Sequence, residues 1–358
     1  MDKHSLSPRE AIEKMRAGMR LLDIRGEIER LSGMAEGATA LVMDDLLAAP
    51  DTHLGDAPVM LICQKGIRSA NAAAQLRDAG FNALSVDGGT EAWIAANLPI
   101  TSSALDDSTG DPHFAERYSR QMRLPQVGME GQRKLSNARV VIVGAGGLGA
   151  PSSYYLAAAG VGHLSLVDHD VVDRSNLQRQ IVHVDADVGR KKVASARERL
   201  MALNPQISIE THDLALDMGN AATLIAGADV VLDGSDNFAV RHALNAASVA
   251  ARIPLVYGAV DRFTGHASVF NAGARGAVPC YRCLFPDAPE GVLNCAEAGV
   301  LGVVPGIVGM IQATEVLKLL LGIGDTLSGT LLQFNALDMQ FKRSKIVPDP
   351  ACRACGKA

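Results

Sequence analysis

Arg139-Val-Val-Ile-Val-Gly-Ala-Gly-Gly-Leu-Gly149 is the stretch whose reading decides the fold. Residues 140–143 are continuous, apolar and β-branched with no alternation, the pattern of a parallel strand buried on both faces. Gly144, Gly146 and Gly149 come next as G-x-G-x-x-G, with Gly147 inside the same turn, and residues 151–160 continue as a helix. The first glycine permits the tight turn, the second lets a phosphate approach the backbone, and the third lets helix pack on strand. The helix N-terminus offers unpaired N–H groups and a partial positive charge to an anion. Asp168 closes the next apolar strand, residues 163–167, about twenty residues on, where a ribose-binding acid is expected. This much predicts a nucleotide without saying which.

Further strands are expected at residues 207–210, 230–233 and 255–257, alternating with helical stretches. That rhythm predicts an α/β fold with a mostly parallel, doubly wound sheet. After Gly265 the pattern loosens into shorter strands and a cysteine-bearing loop. Residues 305–320 read as a long helix, apolar on most faces, packed inside or at a subunit contact. The longest apolar run, residues 300–311, is shorter than a membrane span and holds a proline and three glycines, so no membrane segment is expected. A net charge of −5 gives no reason to expect nucleic acid as a partner. The first residues lack a basic-then-apolar secretory pattern. Six cysteines, four of them in C-x-x-C spacing, suggest thiol or metal chemistry in a reducing compartment, read here as the cytoplasm.

Residues 1–100 read as a smaller α/β domain, residues 101–112 as a linker rich in Ser, Asp, Thr and Gly, and residues 113–358 as the second domain. In the first, strands are expected at residues 21–24 and 59–62. Cys63-Gln-Lys-Gly-Ile-Arg68 then leads into a helix near Ser69. A cysteine opening a loop between a parallel strand and a helix faces backbone N–H groups and the helix dipole, which favour thiolate or persulfide. Arg68 adds a fixed positive charge. The alternative is a buried structural cysteine.

The segment Leu61-Ile-Cys-Gln-Lys-Gly-Ile-Arg-Ser-Ala70 resembles the active-site loop of single-domain rhodaneses, which carry sulfur as a cysteine persulfide. Asp23-Ile24-Arg25 resembles their early Asp-x-Arg, and Val86-Asp-Gly-Gly89 with Trp93 their closing motif. One departure is visible: Gly33-Met-Ala-Glu-Gly-Ala38 stands where the family commonly has Gly-His-Ile-Pro-Gly-Ala, so the geometry of that loop is in question.

A lone G-x-G-x-x-G is common in nicotinamide dehydrogenases, but the residues downstream of it here suit a triphosphate with a metal. Asp168-His-Asp170 precedes Ser175-Asn-Leu-Gln-Arg-Gln180 and Gly189-Arg-Lys-Lys192. Arg and Lys neutralise phosphate oxygens, and carboxylates hold Mg²⁺. No G-x-x-x-x-G-K-[ST] is present, so the chain is not a P-loop enzyme. With Arg117-Tyr-Ser-Arg-Gln121 and Asp233-Gly-Ser-Asp-Asn237, these features resemble the E1-like adenylating enzymes of the MoeB/ThiF group over residues 115–355. The resemblance implies a small rhodanese-like α/β domain followed by a doubly wound, Rossmann-like adenylation domain. It implies that Asp168 binds ribose, that Asn176, Arg179 and Lys192 hold the phosphates, and that Arg120 reaches in from a partner subunit of a homodimer. It assigns Asp236 to Mg²⁺, with Asp170 assisting. The implied reaction is ATP-dependent adenylation of the C-terminal glycine of a ubiquitin-like sulfur carrier of MoaD/ThiS type ending in Gly-Gly. Sulfur transfer from a Cys63 persulfide, loaded by a donor such as a cysteine desulfurase, would then give a thiocarboxylate. The alternative keeps the adenylation and makes the rhodanese domain a docking module; a nicotinamide oxidoreductase and a non-catalytic scaffold are the other classes.

Cys280-Tyr-Arg-Cys283 and Cys352-Arg-Ala-Cys355 form two C-x-x-C knuckles suited to one tetrahedral Zn²⁺, with a pair of redox dithiols as the alternative. Cys295 is unpaired. In the family its position matches a cysteine near the adenylate that sometimes forms a thioester or a disulfide; otherwise it is a bystander.

Overall fold

Strands β1 (Ser5–Leu6), β2 (Arg20–Asp23), β3 (Met34–Ala35), β4 (Thr39–Ala40), β5 (Val59–Ile62), β6 (Ala83–Val86) and β7 (Ile100–Thr101) belong to the first of two units, Met1–Leu124 and Pro125–Ala358. The computed structural model describes residues 4–30, 33–101, 113–271, 278–287 and 299–356; Cys295 and nearly all of the expected linker lie outside them.

A parallel sheet in the order β1-β6-β5-β2-β4 forms the first unit, and β3 pairs antiparallel with β7. All four residues of β5 are buried, as a central parallel strand requires. Alternation sends Leu61 to the core with Leu22, Ile24 and Leu76, and Met60 and Ile62 to the opposite core with Leu21, Val86 and Trp93. Buried Trp93 satisfies its indole N–H on the Pro99 carbonyl at 3.0 Å. Helix Pro8–Arg16 opens with a capping box in which the Ser7 N–H donates to Glu10 Oε2 at 2.8 Å. Helix Phe114–Met122, which carries Arg120 on its exposed side, belongs to this unit too, with Arg123 Nη2 3.8 Å from Glu29 Oε1.

The second unit holds β8 (Arg139–Val143), β9 (His163–Val167), β10 (Ser208–His212), β11 (Val230–Asp233), β12 (Leu255–Asp261), β13 (Thr264–Phe270), β14 (Thr330–Asn335) and β15 (Gln340–Lys345). They form one sheet in the order β10-β9-β8-β11-β12-β13-β14-β15. The first five strands are parallel and the rest antiparallel. Strand order reverses between β8 and β11, so a crevice opens beyond their carboxyl ends.

Helix Val303–Leu321 stands where a long apolar helix is expected and runs past the apolar stretch 300–311; its 19 residues would be long and apolar enough to cross a membrane by length and composition alone, a test that a core helix also passes. It packs against helix Gly149–Ala159 and strands β12 and β13, burying Val304, Val308, Ala313 and Val316 in the core. Gln312 and Glu315 within it reach polar partners: Gln312 Nε2 donates to the Asp233 carbonyl at 2.7 Å, and Glu315 accepts from Leu327 N–H at 2.7 Å.

Asp187, fully buried, ties helix Lys192–Leu203 to the preceding loop. It accepts from Ser195 Oγ at 2.9 Å, Val184 N at 3.1 Å, Arg190 Nη1 at 2.6 Å and Arg199 Nη2 at 3.2 Å. Burial works against its charge, but these donors outweigh it and hold its pKa at about 2 instead of 3.8. A depressed carboxyl stabilises the fold above its unfolded pKa and loses that contribution as pH falls through the folded one. Asp187→Asn is therefore expected to flatten the acid limb of thermal unfolding between about pH 4 and 2, and to lower the midpoint at neutral pH. An unchanged acid limb would contradict this.

Candidate functional site

A cavity of about 760 Å³ lies at the carboxyl ends of β8, β9 and β11. Gly144, Gly146, Gly147, Asp168, Asp170, Arg179, Lys192 and Asp236 line it together. Two of the glycines act differently. A methyl at Gly149, the first helical residue, would run into the Gly144 carbonyl, so that glycine serves helix–strand packing. A methyl at Gly146 would meet only Gln180 Nε2, at 3.7 Å. Nothing among the described residues requires that glycine; a ligand lying on the backbone would. The Gly146 and Gly147 N–H groups donate to no backbone carbonyl among the described residues.

Asp168 braces the turn. Its Oδ2 accepts from Ala145 N–H at 2.7 Å and its Oδ1 from Asp170 N–H at 2.8 Å. Lys192 is nearly buried and pairs with Asp170 Oδ2 at 2.8 Å. Partial burial raises the Asp170 pKa, but the hydrogen bond and charge of Lys192 prevail and hold it below the ordinary value. Asp236 is exposed at the cavity wall, so it suits a divalent cation better than the already paired Asp170. Asn176 is not in the lining: its side chain accepts from Asp173 N–H at 3.2 Å and caps the short 3₁₀ turn Arg174–Asn176. Arg179 does line the cavity and donates from Nη1 to the Ser175 carbonyl at 3.1 Å.

The Asp233-to-Asn237 loop is anchored by a residue that sequence reasoning missed. Arg241, buried on helix Phe238–Ala251, donates to the Ser235 carbonyl at 2.9 Å and stacks over Phe238 and Tyr257 at 5.5 and 5.4 Å. Its Nε lies 3.8 Å from Asp233 Oδ2, whose carboxyl burial pushes up. No local pattern marks Arg241, whose partners lie on β11, the loop after it, its own helix and β12.

In the first unit Cys63 ends β5 fully buried, packed with Leu22, Ile24 and Leu61. Ser69 N–H lies 3.3 Å from its sulfur and Ser69 Oγ 3.4 Å. Gly89 packs so closely under the loop that a methyl there would strike the Cys63 carbonyl, which Thr90 N–H holds at 2.8 Å. The Gly-Gly motif is thus the floor of the cysteine loop. Arg68 points its charge at Glu29 in a two-pronged pair of 2.9 and 2.6 Å. Arg25 grips Asp23 and also donates to Gln64 Oε1 at 2.9 Å and to the Gly33 carbonyl at 2.6 Å. The substituted Gly33–Ala38 loop is therefore still held beside the cysteine.

Sγ of Cys280 lies 3.7 Å from that of Cys352, and Sγ of Cys283 3.5 Å from that of Cys355; all four sulfurs are within 4.8 Å of one another. Disulfides need about 2.05 Å. A zinc tetrahedron with bonds of about 2.3 Å has edges of about 3.8 Å, close to the 3.7 and 3.5 Å separations.

The ThiF family model matches residues 118–354, and a rhodanese-like domain model matches residues 7–96. The chain belongs to the ThiF family. Among ThiF-family relatives it is 51% identical over 244 residues to the SAMP-activating enzyme E1 of Haloferax volcanii, covering 68% of this chain and 89% of that one. It is 49% identical over 238 residues to the probable adenylyltransferase/sulfurtransferase MoeZ of Mycobacterium tuberculosis, covering 66% of this chain and 61% of that one. The structure of E. coli MccB with AMPCPP and MccA shares the fold, with a TM-score of 0.58, 22% identity and coverage of 72% and 75%.

The two glycines give a paired test. Gly149→Ala should cost about 1–3 kcal/mol of stability through overpacking. Gly146→Ala should leave stability within about 0.5 kcal/mol of wild type yet abolish nucleotide binding. Chemical unfolding beside equilibrium dialysis reads both; a Gly146→Ala protein that binds nucleotide normally would contradict the assignment.

Proposed function

We propose that this chain adenylates the C-terminal glycine of a ubiquitin-like sulfur carrier ending in Gly-Gly and then transfers sulfur to it from Cys63. The observation that carries this is the meeting, beside a dinucleotide-type turn, of Arg179 and Lys192 with Asp170 and Asp236. A redox dinucleotide needs the acid at its ribose but no such cluster of cations and carboxylates at the phosphate end. The names of the relatives above point the same way.

Glycine N–H groups and Arg179 neutralise phosphate oxygens, and Lys192 does so on leaving or sharing Asp170. Asn176 supports that loop from its cap, and Asp168 takes the ribose hydroxyls. Asp236, with Asp170 beside it, would hold Mg²⁺, which when bound offsets further phosphate charge. Arg120, exposed on its helix, would reach the phosphates of a partner subunit in a homodimer. The carrier carboxylate attacks the α-phosphorus, an O–P bond forms, the α–β anhydride breaks and pyrophosphate leaves. The outer sulfur of a Cys63 persulfide then attacks the acyl carbon and AMP leaves. A thiol, for which Cys295 is the candidate, attacks the Cys63 sulfur of the resulting acyl disulfide, releasing the thiocarboxylate and leaving a disulfide to Cys63 that an external dithiol reductant returns to two thiols. A cysteine desulfurase suits the donor role. Free thiols at the described cysteines fit a reducing, cytoplasmic setting.

Cys280, Cys283, Cys352 and Cys355 would hold a structural Zn²⁺ that pins the tail to the segment around Tyr281. Cys352→Ser should lose about one zinc per chain by elemental analysis and lower the unfolding midpoint; full metal content would contradict the site.

With MgATP and a Gly-Gly carrier, the protein should exchange labelled pyrophosphate into ATP. Cys63→Ala should keep that exchange and lose thiocarboxylate, read by mass spectrometry of the carrier. Absence of exchange would overturn the adenylation; thiocarboxylate formed by Cys63→Ala would favour the docking reading of the rhodanese domain.

A further inference from the structure

His183 is buried behind the glycine turn, 4% exposed, between two short 3₁₀ turns. Its Nε2 lies 3.1 Å from the Ala145 carbonyl and its Nδ1 2.8 Å from Ser195 Oγ, which lies 2.9 Å from Asp187 Oδ2. Ala145 is the residue between the first two glycines, and its N–H is already held by Asp168 at 2.7 Å. One residue at the centre of the turn is thus gripped at both ends.

Counting hydrogens decides the state in which the grip is complete. A carbonyl only accepts, so Nε2 must carry a proton to bond Ala145. Asp187 is ionised and only accepts, so Ser195 gives it the single hydroxyl proton. Ser195 can then only accept from Nδ1, which requires a proton there as well. All three contacts are hydrogen bonds together only when the ring is imidazolium; a neutral ring forfeits one of them. The charged groups around the ring are Asp187 and Asp168, which favour the cation, and Lys192, which opposes it; Arg190 and Arg199 act through Asp187. Burial is the largest influence and keeps the ring below its ordinary pKa, so the ring is mostly neutral at neutral pH.

We propose that His183 is a positioning residue for the nucleotide turn, and that an anionic nucleotide seated on Gly146 and Gly147 completes the network by drawing a proton onto its imidazole. The inference rests on the nucleotide reading of the cavity. No heavy-atom bond changes; one proton moves from solvent to Nδ1, and Ser195 turns its hydroxyl fully to Asp187.

Titration calorimetry of MgATP binding near neutral pH, run without carrier in buffers of different ionisation heat, counts protons taken up. Wild type should take up a fraction of a proton. His183→Gln keeps a donor for the Ala145 carbonyl but cannot become a cation, so it should bind with near-normal affinity and without that uptake. His183→Leu should weaken binding on the order of tenfold, since it leaves the carbonyl unpaired. Uptake by His183→Gln equal to wild type, or normal affinity in His183→Leu, would overturn the role of His183 alone. If His183→Leu does not fold, the uptake difference between wild type and His183→Gln still decides. A wild type that binds no nucleotide would overturn the reading of the cavity and this inference with it.

Discussion

The second unit depends on holding one short turn still although the Gly146 and Gly147 N–H groups donate to no backbone carbonyl among the described residues. Helix and sheet normally consume backbone donors, and a buried donor without a partner is costly. Here the turn between β8 and helix Gly149–Ala159 is braced from outside: Asp168 and His183 fix the N–H and the carbonyl of Ala145, and Gly149 lets the helix close on the strand. Bracing of this kind would leave little reorganisation for the anion binding proposed at this turn. The Asp233–Arg241 contact does the same for the facing loop with Asp236.

The first unit solves a similar problem with sulfur. Cys63 is as buried as a core residue, and its loop is shaped by Gly89 beneath it and by Ser69 N–H at the sulfur. Arg68 is engaged with Glu29 in a two-pronged pair. The two units bring opposite reagents to the chemistry proposed: one prepares an activated acyl group, the other a sulfur nucleophile.

Sequence and structure agree best where burial is two-sided. Strands β5, β9 and β11 stand at the residues expected for them, because strands buried on both faces are mostly apolar along their length. The pattern marks β12 only to Tyr257, since Gly258 and Ala259 do not look like strand, yet the strand continues to Asp261. The glycine is there because Gln312 passes over it, a contact from a helix far along the chain. The antiparallel strands β14 and β15 are hidden for a related reason, being held by cross-strand pairing and not by an apolar pattern. The glycines, Asp168, Asp170, Arg179, Lys192 and the four cysteines are visible in the sequence as local motifs, and the structure brings Gly144, Gly146, Gly147 and those four side chains to one cavity and the cysteines to one cluster. His183, Ser195 and Arg241 are not visible in this way, because each acts through partners that only the folded chain brings near. Asn176 shows the converse, a motif residue whose side chain is spent on a cap.

The most direct measurement of the central claim is equilibrium competition between MgATP and NAD for the purified chain. Saturable binding of MgATP that NAD does not displace is the expected result. Binding of NAD in preference to ATP would contradict it, because Arg179 and Lys192 would then face no triphosphate.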